Sequence, residues 1–135
     1  MNQGDRVALC GKNGCGKSTI LKFINGNKNI IFRGCFAKAS NLKISYVSQD
    51  TSNLSGTLTD FAQTQDIEES LFKAILRKFD FSRTQFEKDI ADFSQGQKKK
   101  VLIAKSLCEK AHLYLWDEPL NFIDILSRIQ IEDLI

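Results

Sequence analysis

Gly11-Lys12-Asn13-Gly14-Cys15-Gly16-Lys17-Ser18 is the segment that most narrows what this chain can fold into. It has the form G-x-x-x-x-G-K-[ST]. Arg6–Cys10 before it reads as a short buried strand. Lys17–Asn25 after it carries Ile20, Leu21, Phe23 and Ile24 and reads as a helix, with Gly26 as its C-terminal stop. The glycines let the backbone curl so that successive N–H groups point inward at phosphate oxygens. The following helix adds the positive end of its dipole. Lys17 would place its ammonium on the β- and γ-phosphates of a nucleotide, and Ser18 would ligate Mg²⁺. A plain Gly-rich turn is the competing reading, and the filled strand–loop–helix pattern weighs against it.

The remaining periodicities continue an α/β plan. Asn29–Phe32 and Lys43–Val47 read as strands from their β-branched and aromatic content, with a loop at Ser52–Gly56. From Thr57 to Asp92 the pattern turns helical. Thr57 or Thr59 can cap a first helix, and Ile67, Leu71, Ala74, Ile75 and Phe79 keep one face apolar. Arg83–Ile90 forms a third short helix. Gln97–Glu109 forms a fourth, with Val101, Ala104, Cys108 and Ala111 as its stripe and Ile103 and Leu107 alongside. His112–Trp116 is a buried strand leading into Asp117, and Asp124–Ile135 is helical. Strand, helix, strands, helical block, strand, helix is an α/β order with a helical insertion.

Composition bounds the rest. The 135 residues fit one domain, at 42% hydrophobic and 26% charged. No run approaches the roughly 20 apolar residues of a membrane span, and no secretory signal is present. A net charge of +3 is too mild to argue nucleic-acid binding by itself. Cys10, Cys15, Cys35 and Cys108 make no C-x-x-C pair, and the single His112 cannot complete a His-rich metal site. Reduced, mostly buried thiols of a cytosolic protein are expected. His112 is expected to be a strand-edge side chain. Lys98-Lys99-Lys100 could meet RNA phosphates, but three lysines on one turn point in different directions, so a solvated helix face is expected.

Two further segments carry chemistry. Leu113-Tyr114-Leu115-Trp116-Asp117-Glu118 ends a buried strand in two carboxylates. Asp117 can hold magnesium through its water shell, and Glu118 can orient or deprotonate an attacking water. Ser94-Gln95-Gly96-Gln97 opens an amphipathic helix. Ser94 could simply cap it, whereas an anion site there would also use the small Gly96 and the preceding Phe93.

With these blocks in order the chain resembles an ATP-binding cassette (ABC) nucleotide-binding domain. The Walker A block is Gly11–Thr19, the Q-loop is at Gln49, the signature is Ser94–Gln97, and Walker B with its D-loop is Leu113–Asp124. The resemblance implies a P-loop NTPase cassette of α/β class, a mixed sheet with a helical subdomain at about 57–110, incomplete at both ends. It implies ATP and Mg²⁺ as cofactors. Gly11, Asn13, Gly14, Cys15, Gly16, Lys17, Ser18 and Thr19 would bind the nucleotide; Ser18, Gln49 and Asp117 would serve the metal; Glu118 and Gln49 would be catalytic. Ser94, Gly96 and Gln97 would contact ATP held by a second cassette, which Asp124 would also face. The signature departs from the usual L-S-G-G-Q: Phe93 stands for Leu, and Gln95 for the first Gly.

A narrower resemblance rests on Trp116-Asp117-Glu118-Pro119-Leu120-Asn121-Phe122-Ile123-Asp124. It is similar to the Glu-Pro-x-Asn-x-x-Asp block of the ABC-F subfamily, whose members carry two cassettes in one chain and no membrane domain. Ser94–Lys100 and Leu115–Asp124 look most like the second cassette of its antibiotic-resistance, ribosome-protecting group. The implied partners are a second cassette, in the same chain or as a homodimer, and the ribosome, without direct membrane insertion. The implied place is the cytoplasm. The cassette of a membrane transporter and a non-hydrolysing regulatory module are the alternatives. Glu118 argues against the module, and the Pro119–Asp124 wording argues against the transporter.

Overall fold

The computed structural model describes residues 4–121 together with Ile123 and Ile129. The chain divides into two compact units, Met1–Lys38 and Ala39–Ile135.

In the first unit α1 spans Lys17–Ile24. It begins at Gly16, whose φ of 98° lies in the left-handed region that favours glycine. It ends as the sequence predicts, at Gly26, in a Schellman motif. Gly26 N–H bonds Phe23 O at 3.0 Å and Asn27 N–H bonds Lys22 O at 3.0 Å. Phe23 packs its ring against Phe32 and Phe36, at centroid distances of 4.4 and 4.7 Å. The predicted strands Arg6–Cys10 and Asn29–Phe32 differ from expectation. Neither joins a ladder among the described residues, and Val7 is 67% and Ile31 97% exposed. A β-branched run becomes a strand only when a neighbour takes its N–H and C=O groups.

In the second unit β1 (Ile44–Val47) and β2 (Leu113–Trp116) pair in parallel, Ile44 opposite Leu113 and Val47 opposite Trp116. Parallel neighbours need a long crossover. Here it holds α2 (Leu58–Thr64), α3 (Glu69–Lys78), α4 (Arg83–Phe86), a 3₁₀ turn at Ile90–Asp92 and α5 (Gln95–Cys108). Three of these helices start with one device. Thr57 with Asp60, Ser82 with Gln85 and Ser94 with Gln97 form capping boxes that satisfy orphan N–H groups of α2, α4 and α5. Thr57 is therefore the cap of the first helix in this block. Thr59 instead donates to Glu69 at 2.9 Å.

The core lies among Val47, Leu58, Phe61, Phe72, Leu76, Phe79, Ile90, Phe93, Val101 and Ile103. Full burial of each such side chain stabilises by about 1.5–3 kcal/mol. The inward stripe of α3 keeps the predicted Ile75 and Phe79 but takes Phe72 and Leu76 in place of Leu71 and Ala74. Phe72, Ile75, Leu76 and Phe79 are buried, while Leu71 is 43% exposed and Ala74 faces solvent. The set 72, 75, 76, 79 also has helical spacing, and it places the larger Phe72 inside. The predicted helix Arg83–Ile90 is shorter, ending at Phe86. On α5 the buried set is Lys99, Val101, Ile103, Ala104 and Ser106, broader than one stripe because the helix packs on both α3 and β1.

Two expectations about side chains are corrected. The Lys98–Lys100 turn is not a solvated face: Lys99 is 3% exposed, and Lys100 donates to Phe79 O at 3.1 Å. A helix covered on two sides leaves no solvated direction for every residue of that turn. The thiols are free, but Cys10, Cys15 and Cys35 are exposed and Cys108 is half-buried, since the first three lie outside helices and ladders. His112 does sit at the strand edge, where its Nδ1 accepts the Lys43 N–H at 3.0 Å. Of the predicted helix Asp124–Ile135 the described residue is Ile129, in helical conformation, and the D-loop residue Asp124 lies outside the described residues.

Candidate nucleotide site

The phosphate loop is built locally. Cys15 N–H bonds Lys12 O at 3.2 Å, closing a turn, and Gly14 (φ 79°) and Gly16 reverse the backbone on either side of Cys15. A Cβ at Gly14 or Gly16 would meet no atom within 4 Å, so backbone conformation rather than crowding demands glycine there. Lys17 follows at once as the first residue of α1, and its ammonium folds back over the loop, donating to Gly11 O at 3.0 Å and Lys12 O at 3.2 Å. No side chain caps the start of α1, and the positive end of its dipole lies at the loop. The loop thus fits a phosphate chain: curled N–H donors, a helix start and an ammonium on one short segment.

The second cluster lies beyond the carboxyl ends of β1 and β2, where ligands of parallel α/β sheets sit. The last ladder bond runs from Asp117 N–H to Val47 O at 2.9 Å. Just past it Gln49 Nε2 donates to Glu118 Oε2 at 3.0 Å, joining residues 69 apart in sequence. Asn121 Nδ2 donates to the same oxygen, and Asn121 N–H bonds Glu118 O at 3.2 Å around Pro119. Glu118 itself has φ 47°. A non-glycine residue held there costs of order 1–3 kcal/mol and persists only where its neighbours over-determine it. Asp117 is 1% exposed, and Tyr46 Oη donates to its Oδ2 at 3.3 Å. That phenol is pushed up to about 12, first by burial, then by the charge of Asp117 and the hydrogen bond to it.

The Ser94 turn opens α5. Gln97 N–H bonds Ser94 Oγ at 3.2 Å, and Ser94 N–H bonds Gln97 Oε1 at 2.9 Å. Ser94 therefore does cap the helix, and capping uses only acceptors of these two side chains. The Ser94 O–H and the Gln97 NH₂ remain as donors, so cap and anion site are compatible. Gly96 lies inside the first turn. Gln95 also accepts a hydrogen bond from Thr51 Oγ1, tying this turn to the segment after β1.

The structure brings Gln49, Asp117 and Glu118 together and keeps Gly11–Ser18 as one continuous loop within the first unit. Sequence reasoning missed Tyr46, Lys99 and Thr51. Tyr46 alternates with inward Ser45 and Val47 and carries no motif. Lys99 was hidden because a lysine amid three reads as surface. Among the described residues no three His, Cys, Asp or Glu side chains cluster to cage a metal. Magnesium held by one or two side chains and by phosphates needs no such cage.

Known proteins resemble this chain in sequence and in fold. The family model described as "ABC transporter" matches residues 1–121. The ATP-binding protein Uup of Buchnera aphidicola subsp. Schizaphis graminum is 33% identical over 136 residues, covering 93% of this chain and 22% of that protein. The ribosome protection protein VmlR of Bacillus subtilis is 28% identical over 141 residues, covering 98% of this chain and 24% of that protein. The chain thus spans less than a quarter of the length of these two curated relatives. In fold, a putative ABC transporter (ATP-binding protein) from Pyrococcus furiosus superposes with a TM-score of 0.72 at 22% identity, over 92% of this chain and 67% of that one. Among the described residues no helix is long and apolar enough to cross a membrane. Because the matched span takes in the phosphate loop, the Gln49–Glu118 edge and the Ser94 cap, the chain belongs to the ABC transporter family and has its cassette fold.

Proposed function

We propose that this cassette binds Mg-ATP and, with a second cassette, hydrolyses it to drive closure and opening, as part of a cytoplasmic ABC-F protein that works on the ribosome. The observation that carries the reading is the Gln49 Nε2–Glu118 Oε2 contact of 3.0 Å at the carboxyl ends of two parallel strands. It supports Glu118 as general base, with Gln49 and Asn121 fixing which oxygen faces a water. The N–H groups of Gly11–Thr19, including Asn13, Gly14, Cys15 and Gly16, hold the phosphates, and Lys17 turns its ammonium from the Gly11 and Lys12 carbonyls to the phosphate oxygens. Ser18, Gln49 and Asp117 each offer an oxygen of the hard kind that suits magnesium. When bound, the ion neutralises charge on the transferring phosphoryl group. Ser94, Gly96 and Gln97 reach the ATP of the second cassette, and residues 57–110 act as the helical subdomain that carries them. The ABC-F assignment rests on Glu118–Asp124, and VmlR, a ribosome protection protein, supports the ribosomal role.

The test is a pair of substitutions in the full chain. Lys17→Ala should weaken Mg-ATP binding by about 1.5–3 kcal/mol, the worth of a charge-assisted contact. Glu118→Gln keeps shape but cannot take a proton. It should bind Mg-ATP normally, hydrolyse about 10²–10⁴-fold more slowly, and accumulate as the closed two-cassette state. Parental turnover in Glu118→Gln would remove Glu118 as base, and parental affinity in Lys17→Ala would remove the phosphate site.

A further inference from the structure

We propose that Lys99 is a positioning residue for hydrolysis: its ammonium ties the ends of β1 and β2 to α5 and so holds Gln49 and Glu118 in register. The inference rests on Glu118 being the base.

Lys99 Nζ donates to Ser48 O at 2.8 Å and to Asp117 O at 3.0 Å. These carbonyls belong to the residues immediately before Gln49 and Glu118. The β1–β2 ladder has already made its last backbone bond, Asp117 N–H to Val47 O. Beyond that point the Gln49–Glu118 side-chain contact and the Lys99 ammonium join the two strand ends. Thr51, at the far end of the same short segment, is gripped by Gln95, one helical turn before Lys99. Segment 48–51 is thus fastened at both ends to α5, the helix that presents Ser94 and Gln97.

Packing alone does not call for a lysine here. Taking an ammonium out of water is costly, and an unbranched apolar side chain would fill the same space without that cost. What the ammonium adds is direction: up to three donors, two of them spent on carbonyls of different strands. Glu118 sits in a left-handed conformation that its surroundings must enforce. A clamp on the peptide just before it is a direct way to do so.

The experiment compares Lys99→Met, Lys99→Gln and Lys99→Arg in the full chain by steady-state ATPase kinetics and by amide hydrogen exchange. Lys99→Met fills the space without donors. It should lower kcat by about tenfold to a hundredfold, the scale of a misplacement near 1 Å, and leave KM within about twofold. Peptides covering 48–51 and 117–121 should exchange faster, while those from α3 keep their protection. Lys99→Arg, which can still donate to both carbonyls, should restore most of kcat and of the protection. Lys99→Gln keeps a shorter, uncharged NH₂ donor group, should fall between, and carries the test if the Met variant does not fold. Parental kcat in the Met variant, or in the Gln variant where that carries the test, overturns the proposal, whether or not the strand ends exchange faster. So does a protection loss that includes α3, the mark of a residue that merely fills the core. The base reading fails separately, through parental turnover in Glu118→Gln. The exchange measurement needs no turnover, so unchanged protection of 48–51 and 117–121 overturns the clamp even then.

Discussion

Tyr46 shows how one buried contact sets a pH response. Its phenol keeps its proton until about 12 because it is desolvated and donates to Asp117, whereas an unfolded chain loses that proton near 10.0. Between those values the folded state binds the extra proton, so stability is full below about 10 and falls as pH rises toward 12. The other tyrosine, Tyr114, is removed by Tyr114→Phe. In that variant, phenolate absorbance should rise with a midpoint of about 12. Adding Asp117→Asn should move the midpoint part of the way toward 10.0, since burial, the largest cause, remains. A midpoint already near 10.0 in Tyr114→Phe would mean that Tyr46 is neither buried nor bonded to Asp117 as described. The same contact steadies a carboxylate proposed for magnesium, so its loss should also be read in Mg-ATP binding.

Among the elements, α2 carries its start and stop signals in separate chemistries. Thr57 satisfies the Asp60 N–H at 3.1 Å, and Thr57→Ala should cost ~1 kcal/mol. The other end is a Schellman motif closed by Asp66 N–H to Gln63 O and Ile67 N–H to Ala62 O, both at 3.1 Å, with Asp66 at φ 53°. Aspartate tolerates that region less well than glycine, so Asp66→Gly should stabilise by roughly 1 kcal/mol, the lower end of the left-handed cost for an L-residue. Denaturant midpoints read both changes, which should have opposite signs. α3 ends the same way, Phe81 N–H reaching Leu76 O and Asp80 N–H reaching Arg77 O. Gly26 was legible as a helix stop because glycine announces the conformation. Asp66 and Asp80 were not, because aspartate serves equally well in caps and turns.

Across the whole molecule, the buried apolar cluster draws on the second unit, where α3 and α5 close over β1. Phe72 is fully buried at its centre, touching Phe61 at a ring distance of 5.9 Å. Phe72→Ala should cost ~3–5 kcal/mol, measured as a lowered unfolding midpoint. Leu71→Ala, from the stripe that periodicity favoured, should cost much less, because Leu71 is already 43% exposed. Equal losses would reverse the assignment of the inward face.

By itself the sequence determined what lies close along the chain. Gly11–Ser18 is a contiguous loop whose φ demands are met by its own glycines, and Ser94 caps Gln97 three residues on. Thr57 and Gly26 were equally readable, since capping depends on side chains within one turn. Gln49 and Glu118 were named from motif wording, but their contact belongs to the tertiary structure. It requires β1 and β2 to lie side by side after a crossover of four helices, which no local pattern encodes. The same holds for Lys99. Its sequence neighbours describe a charged surface turn, and only the approach of two strand ends supplies the carbonyls that receive its charge inside the core. Local signals follow from backbone sterics and short-range hydrogen bonds. Where a polar side chain is buried, and against what, is decided by the packing of distant elements.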